Sequence, residues 1–147
     1  MDDNLRKTIM IEHYNNPINK KLIDDSSYYK VNINSESCID NLDFMVKIED
    51  DIIKDSMFDG EACVISTSAS SIMNDLIIGK TVDEVLNIID NYEAMIDEKK
   101  YNEECLGEAN AFNQIYKQAN RKKCALLPFD GLKKIIYKYK GDKLNEK

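Results

Sequence analysis

The stretch LDFMVKIEDDIIKDSMFDG, residues 42–60, carries the strongest fold signal in the chain. In its first half, apolar residues recur at every second position: Leu42, Phe44, Val46 and Ile48. This period of two is typical of a strand with one buried face. An acidic turn follows, and a second extended segment ends at Gly60. The stretch therefore predicts two adjacent strands joined by a short connection.

The segments on either side extend this pattern to an α+β fold. YYKVNIN, residues 28–34, alternates in the same way and predicts a first strand, so that the three strands form an antiparallel meander. From Ser66 onward the spacing becomes helical, and Thr81 with Glu84 has the pattern of a capping box. Helices are expected over residues 5–14, 66–81, 81–97, 109–120 and 128–139, with Pro128 near the start of the last one. Strands followed by helices predict a three-stranded antiparallel sheet packed against about five helices.

Composition predicts one globular domain over residues 1–147, with a flexible tail over about 141–147. The 147 residues are 43% hydrophobic and 32% charged, with a net charge of −7. This acidic balance argues against nucleic-acid binding. The lysines of the C-terminal stretch are either a solvated helix face or a docking patch for an acidic partner. No signal peptide or membrane-spanning run is apparent, so a cytoplasmic location with reduced thiols is expected and no membrane partner.

Three of the four cysteines lie at predicted junctions between elements. Cys38 and Asp40 lie between the first two strands, Cys63 precedes the serine-rich helix, and Cys124 precedes the last helix. If these junctions converge, three thiolates and one carboxylate suit Zn²⁺ or the iron of a small iron–sulfur cluster. Spacing alone leaves two alternatives open: three unrelated buried cysteines, or a cysteine nucleophile paired with His13.

Several segments resemble the IscU/NifU N-terminal family. These segments are IMIEHYNNPINKK, SCID, FDGEACVISTSASSIM and RKKCALLPFDGLKKII. They follow the family order over nearly the whole chain. The resemblance implies a SufE/NifU-like fold, and it implies that Cys38, Asp40, Cys63 and Cys124 are metal ligands.

Within that family the chain is similar to the SufU-type branch. Lys123 stands where the scaffold branch has histidine, and the segment between Cys63 and Cys124 is long. This likeness implies a bound zinc and a sulfurtransferase-like carrier that stimulates a PLP-dependent cysteine desulfurase of the SufS type. It also implies that a histidine of the desulfurase displaces Cys38 from zinc. Cys38 then accepts persulfide sulfur for the downstream iron–sulfur assembly machinery. Arg121 matches an arginine of this branch, and we expect it to pair with Asp40 or another anion of the site.

Other functions are compatible with the same residues. A 2Fe–2S cluster could be assembled on the four ligands, in which case iron replaces zinc. A non-catalytic adaptor with a structural zinc is a third hypothesis. Ile39 and Ala62 replace family glycines and so bear on the geometry of the site. His13 is interpreted as a structural residue at a helix end, and Cys105 as a residue without a role in the site.

Overall fold

A computed structural model describes residues 1–35 and 39–145 of the chain. The strands and α-helices, in chain order, are α1 (Asp3–Asn15), β1 (Tyr29–Asn34), β2 (Asn41–Glu49), β3 (Ile52–Glu61), α2 (Val64–Ile77), α3 (Val82–Ile96) and α4 (Ala119–Asn145). Short 3-10 helices over Glu103–Cys105, Gly107–Phe112 and Ile115–Lys117 connect α3 to α4. The predicted α+β class and three-stranded antiparallel sheet are confirmed.

The sheet has the order β1-β2-β3, and each neighbouring pair is antiparallel. The alternation that predicted β2 corresponds to burial, since Leu42, Phe44 and Val46 are fully buried against the helices. The β2–β3 connection is tight: Asp50 and Asp51 both have left-handed backbones, with φ of 54° and 62°. This geometry matches the right-handed twist of a two-residue hairpin.

The opposite end of the β2–β3 hairpin brings two loops together. Asn41 pairs with Glu61 and Leu42 pairs with Gly60, so the residues before β2 lie beside those after β3. Gly60 has φ of 134°, and a Cβ built there would lie 2.2 Å from the carbonyl oxygen of Asn41. Only glycine fits this close approach of the two strands. Position 60 is therefore critical for placing Asp40 next to the start of α2.

The helices cover one face of the sheet and share a single core with it. The serine-rich helix α2 is central: Ser66, Ser68, Ser70 and Ser71 are all fully buried. Small side chains permit close packing, and their hydroxyls bond to backbone carbonyls or neighbouring groups. The capping box predicted at the start of α3 is confirmed, with Thr81 and Glu84 bonding reciprocally.

Helix α4 begins earlier than predicted. It starts at Ala119, which places Pro128 inside the helix and Cys124 in its second turn rather than before it. The predicted helix over residues 109–120 is mostly 3-10 structure. Gly131, two turns after Cys124, allows close packing, since a Cβ there would lie 3.1 Å from the Phe44 ring. Helix α4 continues through Asn145, and the flexible tail stays a prediction.

The lysines of α4 pair partly with acidic groups of this chain. Lys133 contacts Glu93 at 3.2 Å, and Lys143 contacts Asp51 at 2.6 Å. These contacts fasten the C-terminal half of α4 to α3 and to the hairpin. The lysines also make α4 polar. Within residues 1–35 and 39–145, no helix is both long enough and apolar enough to cross a membrane.

Candidate metal centre

Three elements bring Asp40, Cys63 and Cys124 to one place. Asp40 immediately precedes β2, Cys63 is the N-cap of α2, and Cys124 lies on the buried side of α4. One ligand atom from each residue lies within 4.8 Å of the others. Asp40 and Cys124 are each only 1% exposed, whereas Cys63 is half-buried. The cluster is therefore closed on its protein side and reachable near Cys63.

The carboxylate of Asp40 is buried, and none of the described residues gives it a cationic partner. Its Oδ1 accepts a hydrogen bond from the backbone N–H of Cys63 at 2.8 Å, and its Oδ2 accepts one from the Ser66 hydroxyl at 2.7 Å. Among the described residues, no lysine, arginine or histidine forms an ion pair with it. The Cys63 thiol is a third, longer donor, 3.9 Å from Oδ2. A buried carboxylate needs a compensating charge, and neutral donors supply only part of it. A metal cation at this position would provide that charge.

The N-terminus of α2 favours negative charge on Cys63. The Cys63 sulfur accepts a hydrogen bond from the backbone N–H of Ser66 at 3.5 Å, the bond that a serine or aspartate N-cap makes in other helices. The positive end of the helix dipole adds to this effect. The local sequence thus places the sulfur where a thiolate ligand is stabilised.

The distances suit a small tetrahedral site. Zinc–sulfur bonds of about 2.3 Å and zinc–oxygen bonds of about 2.0 Å place neighbouring ligand atoms roughly 3.3–3.8 Å apart. The Cys63 sulfur lies 3.9 Å from Asp40 Oδ2, so these two ligands are already close to that spacing. Thiolates with one carboxylate fit zinc or iron in preference to magnesium or calcium. The residues present therefore fit the expected metal.

The fourth expected ligand, Cys38, lies outside the described residues, so its ligation and its role as sulfur acceptor stay predictions. The chain on either side of it is held together, because the backbone N–H of Ser35 donates to the Asp40 carbonyl at 3.0 Å. Ile39 is 70% exposed. This side chain therefore points away from the core beside the buried Asp40.

Ala62, the second residue that replaces a family glycine, fits its position without backbone strain. Non-glycine residues with a left-handed backbone in the described ranges are Asn19, Asp50, Asp51 and Glu98. Ala62 is not among them, so its side chain imposes no backbone strain before Cys63. The close approach at this corner depends instead on Gly60, which the chain retains.

Ser66 is the residue of this centre that the sequence did not single out. Its hydroxyl lies 2.7 Å from Asp40 Oδ2 and 3.0 Å from the backbone carbonyl of Cys124. Pro128 explains why that carbonyl needs a side-chain donor: in a regular helix it would accept the N–H of residue 128, and proline has none. The available signal was local, a serine three residues after the N-cap Cys63.

The remaining predicted residues lie around or away from the centre. Arg121 is half-buried and makes no ion pair with a described residue, so its expected role stays a prediction. His13 is buried elsewhere, with Nδ1 2.7 Å from the Ser71 hydroxyl and Nε2 3.1 Å from Glu108. No described cysteine is hydrogen-bonded to it. Cys105 donates to the Asn102 carbonyl, and burial raises the pKa of its thiol, as befits a residue without a role in the site.

Comparison with known proteins agrees with this architecture. Residues 5–125 match the model of the NifU-like N terminal domain. The chain is 33% identical over 140 residues to the zinc-dependent sulfurtransferase SufU of Bacillus subtilis, covering 95% of this chain and 94% of SufU. It is 36% identical over 107 residues to the iron–sulfur cluster assembly scaffold protein IscU of Streptococcus pyogenes, covering 72% of this chain and 67% of IscU.

A solved structure gives the same result in three dimensions. FiSufU, a candidate iron–sulfur cluster assembly scaffold for the SUF system of Fervidobacterium islandicum, superposes with a TM-score of 0.80 at 26% identity. The match covers 92% of this chain and 99% of that one. The chain belongs to the NifU-like N-terminal domain family, as its sequence motifs predicted.

Proposed function

We propose that this protein is a zinc-dependent sulfur acceptor that takes persulfide sulfur from a cysteine desulfurase for iron–sulfur cluster assembly. The observation that carries the proposal is the buried carboxylate of Asp40, which lies beside two cysteines and has no cationic partner among residues 1–35 and 39–145. Cys38, Asp40, Cys63 and Cys124 would hold the zinc, whose positive charge would compensate this carboxylate. The expected setting is the cytoplasm, where these thiols stay reduced.

The likeness to SufU supports zinc as the resident metal. It spans 94% of SufU, whereas the likeness to IscU spans 67% of that scaffold protein. When bound, zinc keeps its cysteine ligands deprotonated at neutral pH while moderating their reactivity. Asp40 is the one oxygen ligand of the proposed set, and a carboxylate is a harder and more exchangeable ligand than a thiolate.

The sulfur-transfer step uses Cys38 as nucleophile. Its thiolate attacks the outer sulfur of the desulfurase persulfide, a new S–S bond forms on Cys38, and the desulfurase cysteine leaves as a thiolate. The step conserves electrons and needs no added oxidant or reductant. Cys63 and Cys124 hold the site together around this exchange, since one caps α2 and the other is anchored in α4.

Desulfurase stimulation tests the transfer role. We expect the protein to accelerate sulfide release from cysteine by a PLP-dependent SufS-type desulfurase, and we expect Cys38→Ala to abolish the effect while keeping its cooperative unfolding. The matched control is Cys105→Ala, which should stimulate as well as the unaltered protein. Stimulation that survives Cys38→Ala would contradict the assignment of Cys38. Loss of stimulation in a folded Cys38→Ala variant would exclude a purely structural zinc adaptor.

The alternative function is a scaffold on which a 2Fe–2S cluster is assembled with the same ligands, and it is favoured by the IscU likeness. Metal analysis of protein purified without added iron separates the two. Stoichiometric zinc and no thiolate-to-iron charge-transfer absorbance would support the sulfur acceptor. Stoichiometric iron with such absorbance would support the scaffold.

A further inference from the structure

We propose that Ser66 is a positioning residue of the metal centre, acting on the metal through Asp40. This inference rests on the proposed zinc site and assigns a task to a side chain outside the ligand set. Ser66 is fully buried on the first turn of α2, three residues after Cys63. Its backbone N–H bonds to the Cys63 sulfur and its hydroxyl bonds to Asp40 Oδ2. One residue therefore contacts two expected ligands.

The two bonds to Asp40 fix the direction of its carboxylate. The Cys63 N–H occupies one lone pair of Oδ1, and the Ser66 hydroxyl occupies one of Oδ2. A carboxylate has about four acceptor positions, so others remain for a metal. The Cys63 N–H is fixed by the start of α2, and the fully buried Ser66 side chain holds its oxygen 2.7 Å from Oδ2, so Asp40 is oriented before the metal binds. This orientation reduces the entropy lost on ligation.

A second acceptor, the backbone carbonyl of Cys124, helps to hold the Ser66 hydroxyl beside Asp40. The hydroxyl has one hydrogen, yet both Asp40 Oδ2 and the Cys124 carbonyl lie within reach, at 2.7 and 3.0 Å. Pro128 leaves this carbonyl without its helical N–H donor. A metal can bind a free lone pair of the Asp40 carboxylate while the Ser66 hydroxyl stays between Oδ2 and the Cys124 carbonyl. No buried hydroxyl is then left without a partner, which would be unfavourable.

Zinc affinity of the purified protein, measured by competition with a chromophoric chelator, tests this role. Ser66→Ala should weaken zinc binding by about 10- to 100-fold, the usual effect of removing a group that orients a ligand. Ser70→Ala is the matched control, because Ser70 is equally buried one turn later and its hydroxyl, among the described residues, bonds only to the Ser66 carbonyl. It should change the affinity by less than about twofold, the scatter of uncoupled sites.

The double variant distinguishes positioning from a general loss of structure. In an Asp40→Ala background, Ser66→Ala should have no further effect on zinc affinity beyond about twofold. Ser66→Thr, which keeps the hydroxyl, should restore most of the affinity, and it serves as the test variant if Ser66→Ala does not unfold cooperatively. Undiminished affinity in Ser66→Ala, an equal loss in the Asp40→Ala background, or a folded Ser66→Thr as weak as Asp40→Ala would each overturn the inference.

These outcomes separate the inference from the proposed function. If the unaltered protein binds zinc tightly and Ser66→Ala does so equally, only the role of Ser66 fails. If the unaltered protein does not bind zinc, the proposed zinc site fails and the role of Ser66 fails with it.

Discussion

Asp40 is the residue whose environment says most about the site. A carboxylate that is 1% exposed, with neutral donors and no described cation, is unfavourable unless a positive charge joins it. The cysteines beside it are the ligands that zinc and iron prefer. A role in metal binding therefore accounts for a charge that structural stability alone would not retain.

Gly60 is the residue on which the position of Asp40 depends most. Gly60→Ala should lower the free energy of unfolding by about 3 kcal/mol or more, because the backbone has φ of 134° and the new Cβ meets the Asn41 carbonyl at 2.2 Å. Urea unfolding measures the change. The control is Gly141→Ala on α4, where a Cβ meets nothing within 4 Å, and a small gain is expected. Equal free energies of unfolding for the two variants would contradict the role of Gly60 in the close approach of β2 and β3.

At the scale of elements, a buried polar network joins α1 to α2. The Ser71 hydroxyl accepts a hydrogen bond from the backbone N–H of Ile18 at 2.7 Å and lies 2.7 Å from His13 Nδ1. All partners are satisfied if Ser71 donates to Nδ1 and the opposite ring nitrogen donates to Glu108 at 3.1 Å. The network links α1, the segment after it and the connection before α4.

Ser71→Ala should therefore destabilise the protein although it removes one oxygen atom. It leaves the buried His13 Nδ1 and the half-buried N–H of Ile18 without this partner, and we expect the free energy of unfolding to fall by about 2 kcal/mol. Chemical denaturation measures the fall. Ser68→Ala is the matched control, since Ser68 is equally buried and, within the part of the chain that the structure describes, its hydroxyl bonds only to carbonyls of its own helix. A loss for Ser68→Ala as large as that for Ser71→Ala would contradict the network interpretation.

The hairpin between β2 and β3 is tied to α4 through Asp51. Lys143 and Tyr139 donate hydrogen bonds to its carboxylate, and they hold the pKa of Asp51 below its ordinary value. Because the pKa of Asp51 is lower in the folded state, the ionised carboxylate makes its full contribution to the free energy of unfolding above the unfolded-state pKa of about 3.9. It is lost as the pH falls through the folded-state value.

Asp51→Asn should accordingly reduce stability at neutral pH and make little difference in acid. A series of urea unfolding curves at different pH values measures this. The difference in free energy of unfolding between the unaltered protein and Asp51→Asn should disappear as the pH falls below about 4. In a Lys143→Ala background, Asp51→Asn should lower the free energy of unfolding at neutral pH by less, because the main hydrogen-bond donor to the Asp51 carboxylate is then missing. A difference that stays constant with pH would show that Asp51 acts through turn conformation alone.

The strands and the places of Asp40 and Cys63 at element junctions could be predicted from local sequence, whereas α4 could not. Alternation at Leu42 to Ile48 reports a buried face directly, and the Thr81 capping box is a local contact. Pro128 indicated a helix start because proline is favoured there. Inside α4 it is tolerated because Ser66 and Tyr92 donate hydroxyls to the carbonyls of Cys124 and Ala125. Those partners are distant in sequence, so no local pattern reveals them.

At the scale of the whole molecule, the proposed zinc site joins β2, α2 and α4 into one cooperative unit. A metal that binds only the folded state stabilises it by about 3 kcal/mol when free metal exceeds the dissociation constant a hundredfold. A strong zinc chelator should therefore lower the thermal midpoint of the purified protein. The Cys124→Ala variant should lose this response, whereas Cys105→Ala should keep it. An unchanged midpoint in chelator would contradict the structural contribution of zinc.

The most direct test of the central claim is the mass of the peptide that contains Cys38 after the protein reacts with a cysteine desulfurase and cysteine. Non-reducing digestion and mass spectrometry should find one added sulfur atom on Cys38, none on Cys105, and no addition when cysteine is omitted. Sulfur on a different cysteine, or no added sulfur while the desulfurase is stimulated, would contradict the proposal that this protein accepts sulfur at Cys38.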